Sequence, residues 1–191
     1  TFQINFDSIK LEVVLSSIDR HEVAECMAYD INRLSLAGSE SLHNVRSING
    51  LPKSSAWPLV MLYYSTLFYV HALMRIWGVS ISYLNGSDLI GFRRLGGLYN
   101  IPEVAKFAAG QRRIVVDART SEVRISKIET GEGSHEALWR YFAEELNNLD
   151  VRVDSSPLLT ADKASLKSEI SHIRSALTRA VTASNRITRK T

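Results

Sequence analysis

The chain has 191 residues, of which 45% are hydrophobic, and its formal net charge at pH 7 is +3. A chain of this length buries enough apolar surface to fold without disulfide or metal staples. Its single cysteine excludes an internal disulfide, and no secretory pattern opens the sequence, so we expect a cytoplasmic protein. The small net charge does not by itself indicate a class of partner.

The N-terminal part predicts a strand followed by two helices. Residues 2–6 alternate apolar and polar side chains, which is typical of a short strand. Residues 11–18 place apolar side chains at helical spacing and predict a first helix. Asp19 is a predicted N-cap for a second helix over residues 20–36, for which Gly38 is the predicted stop.

A polar connection over residues 39–53 leads into an uncharged run, residues 54–77, on which the fold prediction depends. The run is several times longer than a usual strand of about 5–6 residues. It is long enough for a transmembrane span. However, Ser65 and His71 lie in its middle, and its tyrosines are not confined to the two ends. We therefore predict a helix buried inside a soluble bundle and keep the membrane span as the alternative.

The C-terminal half predicts one β-hairpin among helices. The predicted elements are a strand or extended loop over 79–84, an irregular region over 86–109 with a short helix at 102–108, a β-hairpin over 111–129, a helix over 135–147, a linker over 150–157, and a last helix from Thr160 or Asp162. The predicted fold class is mostly α: a helical bundle around one buried central helix, with a small β-hairpin insertion. We expect a single domain over residues 1–191 that ends in a basic tail over residues 182–191.

No familiar catalytic signature is present, so no cofactor and no metal is predicted. The sequence lacks a phosphate-binding Gly-rich loop, zinc-ligand spacing and a nucleophile elbow. His71 and Arg75 lie four residues apart and share a helix face. Such a pair can bind phosphate or act as acid/base and charge stabiliser in phosphodiester cleavage. The favoured alternative is a core histidine with a structural partner.

The C-terminal end is basic, because residues 163–191 contain seven Lys and Arg against one Glu, a local balance of +6. This balance is typical of a nucleic-acid partner, although an exposed, solubilised helix face gives the same pattern. Arginines with short hydroxyls and amides around them suit phosphate contacts. The candidate nucleic-acid-binding residues are Arg174, Arg179, Arg186 and Arg189, with Arg113 in the hairpin as a second basic surface.

Residues 62–78 resemble the second long helix of HEPN domains (higher eukaryotes and prokaryotes nucleotide-binding). The shared pattern is two aromatics, a small residue, a further aromatic, then leucines and a glycine. The resemblance implies a four-helix arrangement, dimerisation, and a ribonuclease of bacterial defence or toxin–antitoxin systems, or an inactive relative. The family's catalytic Arg followed by His is absent, since no histidine follows His172. Arg186 would begin such a motif only if the native chain continues.

We therefore expect a domain that binds RNA or a protein partner, with enzymatic activity left open. If the chain cleaves RNA, it would be a metal-independent endoribonuclease. Arg186 would then stabilise the charged phosphorane, and His71 or a residue beyond this sequence would transfer the proton. The alternative is a non-enzymatic structural or adaptor subunit that binds a protein partner, or a second copy, through its helices. No membrane association is expected.

Overall fold

The computed structural model describes residues 3–7, 12–47, 56–128 and 133–188, with side chains up to Arg179. The chain divides into two compact units, Thr1–Leu138 and Trp139–Thr191, which we describe separately. In chain order the elements are β1 (Gln3–Asp7), β2 (Glu12–Ser16), α1 (Arg20–Arg46), α2 (Ala56–Ile76), β3 (Val79–Leu84), α3 (Gly86–Leu98), a 3₁₀ helix (Pro102–Lys106), β4 (Gly110–Asp117), β5 (Glu122–Lys127), α4 (Ser134–Ser155) and α5 (Thr160–Thr188).

The first unit contains a five-stranded antiparallel sheet in the order β1-β2-β5-β4-β3. The predicted fold class, a helical bundle with a small hairpin insertion, is therefore wrong. The hairpin itself is present as β4 and β5, but β2 and β3 pair with its two edges and make it the centre of the sheet. The helix predicted over residues 11–18 is also wrong. A short apolar run is compatible with both the helical and the strand periodicity. In β2, Val13 and Leu15 share one face of the sheet.

One face of the sheet is covered by α3 and the 3₁₀ helix. The buried residues of this core are Ile4, Val13, Leu89, Val104, Phe107 and Ile125. The prediction of an irregular region over residues 86–109 is wrong for α3, which Asn85 caps together with Asp88. Gly96 lies within this helix, at a position where a larger residue would not fit, since a Cβ there would stand 2.9 Å from the Cβ of Val104. Gly96, one of the glycines from which the sequence predicts a loop, thus permits close packing of α3 against the 3₁₀ helix.

The helices α1 and α2 form an antiparallel pair. The predicted stop at Gly38 is wrong, since α1 continues to Arg46 and buries this glycine against α2. A Cβ on Gly38 would lie 3.2 Å from the ring of Tyr69 and 3.3 Å from the carbonyl oxygen of Ser65. The Ser65 hydroxyl donates to the Gly38 carbonyl at 2.7 Å. Gly38 thus sets the close approach of the two helices instead of ending the first.

The prediction that α2 is buried on nearly all sides is wrong as well. Among the described ranges, α2 is the one helix long and apolar enough to cross a membrane by length and composition. Only 28% of its most apolar 18-residue window is buried. The buried positions of α2 are Ser65, Leu67, Val70, Ala72 and Met74. A helix that the sequence places at the centre of a core therefore has much of its apolar surface outside.

In the second unit, α4 and α5 are joined by polar contacts. Arg174 donates to the carboxylate of Asp150 at 2.7 Å and to the carbonyl of Leu146 at 2.9 Å. Lys167 lies 2.6 Å from a carboxylate oxygen of Asp154. The linker predicted over residues 150–157 is helical up to Ser155. Because α4 extends beyond its predicted end, it contains Asp150 and Asp154, which pair with Arg174 and Lys167 of α5.

Candidate functional site

Four of the exposed apolar residues of α2 lie on one regular stripe, together with the exposed Thr66 and the half-buried Tyr69. Six positions follow one another at alternating spacings of three and four residues, and we call them the α2 seam: Leu59, Leu62, Thr66, Tyr69, Leu73 and Ile76. The exposed fractions of the four aliphatic members are 64%, 43%, 37% and 61% in chain order. This spacing is that of the a and d positions that pack one helix against another in a coiled coil.

The polar members of the α2 seam already have partners. The Thr66 hydroxyl donates to the Leu62 carbonyl at 2.9 Å. The Tyr69 hydroxyl shares a 2.8 Å hydrogen bond with Ser39 of α1. Covering the seam would therefore leave neither hydroxyl unpaired, which removes the usual penalty for burying polar groups.

Aromatic contacts fix the N-terminal half of α2 beside the start of α4, within the first unit. The Tyr63 hydroxyl lies 3.0 Å from Nδ1 of His135. Tyr64 contacts the same imidazole edge-to-face, with 6.1 Å between ring centroids, and Phe68 packs on Tyr64. These contacts are made by residues outside the α2 seam and hold the helix in place, so the seam is presented by a fixed element.

At the C-terminal end of α2, a polar network joins the two helices. Arg75 donates from Nε to the Asp30 carboxylate of α1 at 2.8 Å. Its Nη1 donates to the carbonyl and to Nδ1 of His71 at 3.2 and 3.4 Å. Burial raises the pKa of Asp30, but the hydrogen bond and charge of Arg75 outweigh it, with Arg33 adding to the effect. The pKa of Asp30 therefore lies below its usual range.

His71, a predicted catalytic residue, is mostly buried in this network. Burial lowers its pKa to about 4, and the positive charge of Arg75 acts in the same direction. The imidazole is therefore neutral at pH 7, and it accepts a hydrogen bond from Arg75. A group with this pKa takes up a proton only weakly at neutral pH, so the geometry gives His71 a structural partner.

An open groove of about 410 Å³ lies between the N-terminal half of α1 and the sheet, and we call it the α1 groove. Its walls are mainly apolar, with Glu22 at one end and the other polar side chains near Arg75 at the opposite end. The lining residues are Glu22, Val23, Cys26, Met27, Asp30, Arg75, Gly78, Ser80, Ser82, Ile114, Val116 and Val123. The single cysteine of the chain is exposed and lies at this groove.

The predicted nucleic-acid-binding arginines have different environments. Arg174 is held by Asp150 and Leu146 in the second unit, whereas Arg179 on the same helix is exposed. The backbone of Arg186 belongs to α5, but its side chain and the whole of Arg189 lie outside the described residues. Arg113 is half-buried on β4. Arg113 belongs to the first unit and the α5 arginines to the second, and the two described α5 arginines differ in their contacts.

The neighbouring Arg112 is buried. It donates to the carbonyls of Ala108 and Gln111, and its guanidinium lies 4.4 Å from the centroid of the Phe107 ring. Burial lowers the pKa of this guanidinium. Arg112 therefore joins the start of β4 to the preceding loop and does not project into solvent from the hairpin.

Comparison with known proteins adds no relative: no family model, curated protein or solved structure matches the chain. In the part of the chain that the structure describes, no group of three or more His, Cys, Asp or Glu side chains is placed to hold a metal ion. The function is therefore inferred from the α2 seam and the α1 groove.

Both features are absent from the sequence-based site predictions. The three-and-four spacing of the α2 seam is visible in the sequence, but apolar residues at this spacing in an uncharged helix predict core packing. The α1 groove combines residues of α1, α2 and three strands, so no local pattern indicates it. Ser80 and Ser82 gave the one available signal, because they alternate with apolar residues on a predicted strand and share one face.

Proposed function

We propose that this chain is a protein-interaction subunit that self-associates through the α2 seam. The observation that carries the proposal is an uncharged a/d-type stripe, exposed along a helix that contacts with α1 and with the start of α4 hold in place. Exposed apolar surface of this extent in a folded protein marks an interaction site.

A second copy of the same chain suits this surface. The helices α1 and α2 are two antiparallel helices, which is half of a four-helix bundle, and a second pair would complete it. The α2 seam contains no charge, so two identical seams meet without like-charge repulsion. Eight large apolar side chains of α2 are exposed. Four of these eight, the aliphatic members of the α2 seam, lie on the surface that a second copy would cover.

A membrane span is less well supported, because α1 lies along α2. Arg33 of α1 is 59% exposed, and Glu40 is also exposed. Both charges lie level with α2. Arg33 is one helical turn from Asp30, which pairs with Arg75. Glu40 is two residues from Gly38, which contacts Ser65. Insertion of the helix pair would carry both charges to bilayer depth, at about 3 kcal/mol each.

RNA binding through α5 is also less well supported. Lys167 and Arg174 are engaged by carboxylates of α4, so their charges are partly neutralised within the second unit. Lys163 donates to the carbonyl of Asp154 at 2.8 Å. Cations that hold two helices together contribute less to the release of counterions from nucleic acid. RNA binding and the HEPN resemblance stay predictions.

Analytical ultracentrifugation over a concentration series tests the proposal. We expect a concentration-dependent dimer that Leu62→Glu with Leu73→Glu converts to monomer, because each dimer would bury four carboxylates in an apolar seam. Leu98→Glu is the matched control, since Leu98 is 79% exposed on α3 and lies outside the seam. This control should remain dimeric.

Three results would contradict self-association. The wild-type chain could remain monomeric at every concentration, or the seam variant could remain dimeric. The chain could also dissolve only in detergent, which would favour the membrane alternative. A monomer that co-purifies with RNA, seen as a raised ratio of absorbance at the nucleic-acid and protein maxima, would favour the RNA-binding expectation.

A further inference from the structure

We propose that the α1 groove binds a small amphiphilic carboxylate, with the apolar body under α1 and the carboxylate at the Arg75 end. The inference is independent of self-association, since the groove lies between α1 and the sheet. It depends on three features: an apolar wall, a polar end with a free guanidinium donor, and anchors that keep the groove open.

The apolar wall comes from α1 on one side and from the two central strands on the other. Val23 and Met27 of α1 are half-buried and line the groove opposite Val116 and Val123 of the sheet. A smaller cavity of about 100 Å³ shares Val23, Met27 and Val116 and extends the apolar surface toward the turn between β4 and β5. The combined space lies in the range of small-molecule sites, which are mostly apolar with a few placed polar groups.

The polar end is formed by β3 and by the last turn of α2. Ser80 and Ser82 point to the same face of β3, and their hydroxyl oxygens lie 2.8 Å apart. Ser80 is paired with Ile114 across the strands and Ser82 with the buried Arg112, whose guanidinium is bound to the carbonyls of Ala108 and Gln111. One hydroxyl donates to the other, which leaves one O–H in the pair free to donate to a ligand.

Arg75 supplies the charge at this end. Its Nε is bound to Asp30 and its Nη1 to His71, whereas Nη2 has no partner among the described residues. Asp30 is shared with Arg33 at 3.3 Å, so one carboxylate stands against two guanidinium groups beside a neutral His71. The balance at this end is therefore +1. A carboxylate would accept a charge-assisted hydrogen bond from Nη2 and a second bond from the serine pair.

Glu22 also lines the groove, but it is exposed and lies eight residues before Asp30 on α1, about 12 Å along the helix axis. Its charge is screened over this distance at physiological salt. The groove thus has a cationic end at Arg75 and an acidic rim at the opposite end of its α1 wall, which sets the orientation of a bound carboxylate.

Two anchors hold α1 above the sheet and keep the groove open. Arg20 at the start of α1 donates to the hydroxyl of Ser121 and, at 3.3 Å, to the carbonyl of Arg119. The Asp30–Arg75 pair is the second anchor, ten residues further along α1. Between them α1 spans the groove, so the site is pre-formed and binding does not require ordering of the helix.

Cys26 gives a direct readout of occupancy, because it is the only thiol in the chain and lies at the groove. We would measure its rate of alkylation in the full chain with octanoate, octanamide and octylamine below their micellar concentrations. Octanoate should slow alkylation at least tenfold more strongly than the amide at equal concentration, and octylamine should give no protection. Protection should strengthen about fourfold for each added methylene from hexanoate to octanoate.

Val116→Trp, which fills the groove from the sheet, should abolish protection by octanoate, and Val23→Trp should do the same from the helix side. Leu98→Trp is the matched control on α3 and should keep full protection. Ser80→Ala with Ser82→Ala leaves the Asp30–Arg75 anchor in place and should reduce the preference for octanoate over octanamide by about tenfold. Thermal melts would show that each variant is folded.

The proposal is overturned if none of the three probes protects Cys26, or if octylamine protects as well as octanoate, which would indicate a cation site. It is also overturned if octanoate still protects both folded tryptophan variants. None of these results bears on the dimer, because the sedimentation experiment measures a different surface.

Discussion

The helices α2 and α5 differ in a way that their compositions do not predict: apolar residues of α2 are exposed, and basic residues of α5 are paired within the protein. α2 contains no charged residue before Arg75, yet much of its apolar surface is exposed. α5 is rich in cations, yet Arg174 and Lys167 are engaged by acidic side chains of α4. A surface is therefore available for a partner when the fold leaves it uncovered, and composition alone does not indicate which surface that is.

The largest expected effect comes from changing the contact that sets the exposed face of α2. Gly38→Leu should lower the free energy of unfolding by about 3 kcal/mol, because a side chain there meets the Ser65 carbonyl and the Tyr69 ring. Gly91→Leu on α3 is the control, since a Cβ there meets nothing within 4 Å. Urea denaturation would measure both, and an equal effect of the two substitutions would contradict close packing at Gly38.

A second prediction concerns the polar network at the end of α2. The folded pKa of His71, about 4, lies below the ordinary histidine value of 6.5, so the unfolded chain binds more protons between these pH values. Stability is therefore fully present above pH 6.5 and falls as the pH drops through the folded pKa, by about 2 kcal/mol after allowance for solvent screening.

His71→Gln keeps a polar side chain and should flatten this part of the stability profile, measured by urea denaturation as a function of pH. His172→Gln is the control, because His172 is exposed on α5, and this substitution should leave the profile unchanged. A wild-type stability that does not change across this range would show that His71 is not buried as described.

The smallest expected effect is a difference in the free energy of unfolding between variants of Arg174 and Arg179, the two arginines of α5 whose side chains are described. Arg174→Ala should lower the free energy of unfolding by about 1 kcal/mol, because its side chain, 37% exposed, loses both Asp150 and the Leu146 carbonyl. Arg179→Ala should leave stability nearly unchanged, since Arg179 is exposed. Guanidinium denaturation of both variants would check this, and an equal loss of stability in the two would contradict the assignment of Arg174 to helix pairing.

Where local chemistry decides the structure, the sequence was sufficient. Asp19 caps α1, and its side chain accepts from the backbone N–H groups of His21 and Glu22. The alternating pattern and the turn of β4 and β5 predict a hairpin that is present. The start of α5 at Thr160 also agrees with the prediction. In each case the deciding groups lie within a few residues of one another.

Where the structure depends on tertiary contacts, the sequence was misleading. Gly38 and Gly96 are typical helix breakers, but each lies within a helix at a close approach that only glycine allows. Apolar residues on α2 predict burial, but the fold supplies cover on only part of the helix. The α1 groove depends on the pairing of β3 with β4, which joins residues 26 to 36 positions apart.

The last turn of α2 belongs to both proposed sites, because Arg75 lines the α1 groove and its neighbour Ile76 is the last residue of the α2 seam. Only Trp77 and Gly78 separate this turn from β3, and Gly78 adopts a positive φ of 79° where a Cβ would lie 2.7 Å from the carbonyl oxygen of Val116. Because this connection is short and tightly packed, a rotation of α2 would also move the start of β3, where Ser80 lies. Each proposal can hold without the other, but if both hold, self-association and ligand uptake would be thermodynamically linked through this turn, each altering the affinity of the other by the same factor.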